Sequence, residues 1–145
     1  MRLIFTRKNT PASAVICIAT ASIWSHVACQ IGDSVFEAKA ATGVRQTDYW
    51  TATHGASAVG LARVDCNDHL ARRWLFDQLG KRYDWSAIWA WFGSRDWQAE
   101  DSWFCFELAA AACARGNRRV VYEETARVTG AMLWNSPVIV REGAW

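Results

Sequence analysis

The apolar positions change period along the chain. Arg2 to Thr6 carries Leu3-Ile4-Phe5 between polar ends and reads as a short strand. Thr10-Pro11 is a helix start, with a capping hydroxyl and a fixed φ at the first helical position, and predicts a helix to about Ala21. Trp24 to Ile31, the pair Gly32-Asp33 and then "SVFEAKA" give a hairpin signal: two short runs about a two-residue turn led by glycine. A less regular stretch follows to about Tyr49. Ala58 to Val64 predicts another strand, and Asn67 caps a helix to Leu79 that Gly80 closes. "KRYDW" reads as a turn, followed by a short helix around Ser86 to Phe92 and an aromatic loop. In "DSWFCFELAAAACARG", Asp101 and Ser102 stand where an N-cap belongs, the run Ala109 to Ala112 favours helix, and Gly116 is the stop. Val120 to Tyr122 reads as a strand, and "VTGAMLWNSPVIV" as one helical turn and a last strand. Strands and helices mix without strict βαβ alternation, so the expected class is α+β, with one domain over residues 1–145.

The hairpin has a chemical consequence. With Gly32-Asp33 as a two-residue turn, Ile31 faces Ser34, and backward pairing sets Ala28 opposite Glu37. Opposed residues share a sheet face and residues alternate by two, so His26 and Glu37 become diagonal neighbours on one face. A three-residue loop would flip the register and separate them. A carboxylate there orients an imidazole and stabilises its charged form.

A nucleophile for such a pair is Cys105. With Ser102 as N-cap, Cys105 is the third helical residue, near unpaired backbone N–H groups and the positive end of the helix dipole. Both favour thiolate, and the same N–H groups can hold an oxyanion. The bland alternative is a small buried hydrophobe, beside an equally ordinary core histidine and surface glutamate. Cys113, at the negative end of that helix, reads as structural. His54 in "ATHGAS" is a weaker candidate base. A rival chemistry is a metal site built from His26-x-x-Cys29 and Cys66-x-x-His69; strand alternation points His26 and Cys29 to opposite faces, which disfavours it.

Composition narrows the setting. The net charge is +2, and Arg72-Arg73, Lys81-Arg82 and Arg118-Arg119 are scattered pairs, so no nucleic-acid partner is implied. No apolar stretch reaches the ~18 residues that a membrane span needs, so stable membrane insertion is not expected. Five cysteines leave at least one thiol unpaired in a monomer, and their spacing shows no secreted disulfide framework. Arg2, Arg7 and Lys8 ahead of "PASAVICIATASIW", with Ala19-Thr20-Ala21, imitate a secretory leader. The strand and helix signals in the same residues favour a folded segment, and the expectation is a cytoplasmic protein. The ten tryptophans are expected mostly in the core, a few lining a groove.

The segment "WSHVACQIGDSVFEAKAATGV", then "YDW", then "WFCFELAAAA" resembles the YiiX-like cysteine hydrolases, a bacterial and phage-borne family. These have a circularly permuted papain fold related to the NlpC-type peptidases and to the lecithin retinol acyltransferases. "FTRKNTPASAV" looks like the family's opening strand and helix, and "VTGAMLWNSPVIV" like its closing segment. The resemblance implies an antiparallel sheet packed against the helix that bears the cysteine. It implies Cys105 as nucleophile, His26 as general base and Glu37 as orienter, with no cofactor. It also implies an amide- or ester-containing substrate: a peptide such as a cell-wall fragment, or a lipid. Relatives commonly carry serine after the cysteine, where this chain has Phe106; were that side chain to enter the site, pocket polarity would change. Tyr83 and Asp84 look like a structural landmark, with Tyr83 within reach of the cleft. The alternative from another class is a non-catalytic binding or structural module, for example in phage assembly.

Overall fold

A computed structural model describes residues 1–84, 102–122 and 128–145. Strand β1 (Arg2–Arg7) lies inside a six-stranded sheet, and helix α1 (Pro11–Ala19) follows it. Thr10 caps that helix by accepting the Ser13 N–H at 3.3 Å. Strands β2 (His26–Ile31) and β3 (Ser34–Lys39) form the expected hairpin, with Ile31 opposite Ser34. Gly32 takes φ +61°, the left-handed conformation that a glycine-led two-residue turn requires.

The stretch without a clear pattern holds β4 (Gly43–Thr47) and the short helix α2 (Tyr49–Thr53). Strand β5 (Ala58–Val64) returns to pair with β1, and α3 (Asp68–Gln78) follows. Asn67 caps α3 by accepting the Leu70 N–H at 3.1 Å. A two-residue strand, β6 (Arg82–Tyr83), pairs in parallel with β7 (Ser102–Trp103). Helices α4 (Cys105–Arg115) and α5 (Gly130–Trp134) and strand β8 (Ile139–Ala144) complete the described chain. The large sheet runs β4-β3-β2-β1-β5-β8, antiparallel throughout. The class is α+β, as the pattern predicts. Residues 118–122 form no strand; Val120 is buried, and its carbonyl accepts the Ser136 hydroxyl at 2.6 Å. The helix expected around Ser86 to Phe92 and the aromatic loop after it lie outside the described residues.

Side chains alternate cleanly across the sheet. Leu3, Phe5, Val27, Cys29, Phe36 and Ala38 join the main core beneath α4, whose Ala109, Ala110 and Ala112 are buried there. These small residues let the helix approach β2 and β3 closely. Ile4, Ala28, Val35 and Val59 form a smaller core on the opposite face with Ala52 of α2. Trp134 packs edge to face against both Phe5 and Trp24, with centroids 5.0 Å apart in each pair, so Trp24 lies in the core and Trp134 covers its edge.

Candidate active site

The hairpin register delivers the first pair. His26 Nε2 lies 2.8 Å from Glu37 Oε2, and Glu37 is completely buried. Arg45 stands opposite Glu37 on β4 and donates twice to the other oxygen, Oε1, at 2.9 and 2.7 Å. The Lys39 ammonium is 3.3 Å from the same oxygen. Burial pushes the Glu37 carboxyl up, but hydrogen bonding and charge from His26, then Arg45 and Lys39, more than offset it and hold it at about 2. The ionised carboxylate is an acceptor only. Nε2 must therefore carry the proton, and Nδ1 is left as the basic nitrogen. Arg45 and Lys39 were not anticipated. Arg45 is found from sequence only by reading β4, whose signal is weak.

Cys105 differs from expectation in two respects. The helix begins two residues later than Ser102 implies: Phe104 is the N-cap position and Cys105 the first helical residue. Ser102 belongs instead to β7, held by its pairing with β6, a partner distant in sequence. The second difference is electrostatic. Cys105 is 1% exposed, and burial pushes its thiol up to about 12. The backbone groups of Val27, Phe106 and Cys105 itself favour the thiolate, the Glu107 charge opposes it, and desolvation outweighs the helix terminus.

His26 and Glu37 share the α2 face by alternation, whereas Cys105 belongs to the core under α4. The two sets approach at the end of the sheet where β2 and α4 both begin. There the Cys105 sulfur interacts with the backbone of Val27, the residue after His26. Among the described residues no hydrogen bond joins Cys105 to His26. Tyr83 connects the two regions: it packs edge-on against Phe104, with ring centroids 5.9 Å apart, and lines the cleft that contains His26. That cleft, about 190 Å³, is also walled by Lys8, Lys39 and the buried hydroxyls of Ser13 and Ser25, which bond to each other at 2.7 Å. It is smaller than an ordinary ligand pocket, and Cys105 is not among its lining residues. Phe106 does not enter it; its ring is fully buried in the main core.

A second carboxyl flanks the cysteine. Glu107, in the first turn of α4, accepts the Phe104 N–H at 3.3 Å and is buried. Burial raises it to about 7; the Phe104 hydrogen bond lowers it, and the nearby Asp84 charge raises it further. The two glutamates then make opposite contributions to stability. Glu37, depressed, stabilises the fold above its unfolded value of about 4.3, and this is lost as pH falls toward about 2. Glu107, raised, stabilises below about 4.3, and this is lost as pH rises through about 7. Each swing is on the order of 3 kcal/mol. Urea midpoints measured across the acid and neutral range should peak between about pH 4 and 5. Glu107→Gln, which keeps an acceptor for Phe104, should remove the decline toward neutral pH. A decline that survives this change would exclude Glu107 as its source.

The other sequence candidates do not converge. His54 is exposed at the end of α2 beside Trp50 and is not among the cleft-lining residues. His69 is exposed, Cys29 lies buried on the sheet face opposite His26, and Cys66 sits 3.8 Å from Asp68. Cys113 is fully buried in the core.

No family model and no curated protein matches the sequence. Among solved structures, the fold is similar to that of YiiX from Escherichia coli O157:H7, a DUF1105 protein, with a TM-score of 0.73. The match covers 98% of this chain and 94% of that one at 16% identity, so it shows a shared YiiX-like fold over nearly the whole length. YiiX is described as a metalloprotein. The described residues here do not fit such a group: they contain no cluster of three or more His, Cys, Asp or Glu side chains placed to hold a metal. The one carboxylate on His26 has its other oxygen committed to Arg45 and Lys39.

Proposed function

We propose that this chain is a cysteine hydrolase of the circularly permuted papain type, acting on an amide or ester through an acyl-enzyme. The observation that carries the reading is the 2.8 Å contact from His26 Nε2 to a buried, ionised Glu37. Such a contact fixes one tautomer and leaves Nδ1 as the base, at the end of the sheet where Cys105 starts its helix. In this reading Nδ1 takes the Cys105 proton as the sulfur attacks the substrate carbonyl. The tetrahedral oxyanion is met by backbone N–H groups at the start of α4. The imidazolium then protonates the leaving amine or alcohol, and a thioester remains. Water, deprotonated by the same nitrogen, releases the acid and restores the thiol.

The burial of Cys105 favours one competing reading, a non-catalytic module that retains the fold. An activated aryl ester separates the two. The hydrolase should show a burst of the phenol and a mass increase of one acyl group, mapped by peptide analysis to Cys105. Cys105→Ala should abolish both, and His26→Gln should slow the burst by about 10²- to 10⁴-fold. An acyl adduct at another residue, or no adduct with a thiol that stays inert to iodoacetamide, would leave the module reading in place.

A further inference from the structure

Helix α1 leaves much of its apolar surface uncovered. Its sequence, Pro11–Ala19, contains no charge, and the only buried residue is Ser13. Ile16 packs partly against the main core, but the other aliphatic side chains face outward: Val15 is 47% and Ile18 76% exposed, and Ile23 just beyond is 60% exposed. A surface helix ordinarily buries its apolar stripe and exposes its polar one. Here Ser13 points inward to the Ser25 hydroxyl, while Val15 and Ile18 are uncovered.

We propose that this face docks the protein reversibly on an anionic lipid bilayer. Three features choose that occupant. Ile18 and Ile23 share a groove with Arg7 and Lys8, and no acidic residue lines it. Neither cation has a carboxylate partner among the described residues. A second copy, docked about a two-fold axis, would set these cations against their own counterparts, whereas anionic headgroups complement them. The helix is also only about 13 Å long, too short to span a bilayer and suited to lying in its interface.

The groove is continuous with the candidate cleft: Lys8, Thr10 and Ser13 line both. A docked molecule would thus present the small His26 cleft to the headgroup region. Docking does not depend on the hydrolase reading. The consequence that a lipid ester supplies the acyl group does rest on it.

Vesicle co-sedimentation tests this with the full chain carrying Cys105→Ala, which separates docking from any reaction. Vesicles of phosphatidylcholine mixed with phosphatidylglycerol should bind the protein, and pure phosphatidylcholine should bind it about tenfold or more weakly. Added salt should weaken the binding. Ile18→Glu should reduce it at least about tenfold, and so should Ile23→Glu, a second exposed site should the first variant fail to fold. Absence of binding to the anionic vesicles would overturn the proposal, as would binding indifferent to both glutamates. A solution dimer that Ile18→Glu dissolves would assign the face to a second copy and equally overturn it.

Discussion

In the proposed hydrolase, Glu37→Gln should lower the acyl-transfer rate by about 10²- to 10⁴-fold. Both oxygens of Glu37 accept hydrogen bonds: Oε2 from His26, Oε1 from the Arg45 fork, with Lys39 beside it. Glutamine offers one acceptor and one donor. If its oxygen faces His26, its NH₂ meets the guanidinium donors of Arg45. If its oxygen faces Arg45, its NH₂ meets Nε2, and the imidazole must move its proton to Nδ1 to accept. Nδ1 is then protonated and cannot act as base. The first arrangement strains the fold, and the second removes the chemistry. Single-turnover rates on an aryl ester, set beside a urea midpoint, distinguish them. A rate near that of the unaltered protein would remove Glu37 from the mechanism.

The part of this site that could be read beforehand is the part fixed locally. Gly32-Asp33 sets the turn, the turn sets the register, and the register sets His26 beside Glu37. The caps at Thr10 and Asn67 are equally local, each a side chain bonded to a backbone group three residues on. Strand β4 depends on distant partners. Gly43 takes φ +69°, and a β-carbon there would strike the Lys81 carbonyl. Val44 donates to that carbonyl at 2.8 Å, and its own carbonyl accepts from Gly80 at 2.9 Å. No alternation in the sequence announces such contacts, so Arg45 stayed hidden with the strand that carries it. The thiol of Cys105 shows the same limit. Helix position argues for a thiolate, but solvent access is a property of the whole packing, and burial prevails.

Phe106→Ser should cost about 3–5 kcal/mol of folding stability, a large share of the ~5–15 kcal/mol that holds an ordinary domain together. The ring is fully buried and packs edge-on against Phe104, with centroids 5.3 Å apart. Its tip fills the space beside Gly130, where an added β-carbon would lie 2.7 Å from Phe106 Cζ. Serine would leave a cavity and bury a hydroxyl within it. This position therefore answers to the core and not to the cleft, whatever residue other chains of this fold carry there. The thermal midpoint should fall by about 10–16 °C. Activity per folded molecule should change little at temperatures where the variant remains folded. A change of substrate preference with stability intact would place the ring in the cleft instead. Coupling to Gly130 gives an independent check. Gly130→Ala should be severe in the natural background, because its methyl meets both the ring and the Ser22 hydroxyl, and only partly relieved beside Phe106→Ser, where the ring is gone and the hydroxyl remains. Additive losses would mean that the two residues do not touch.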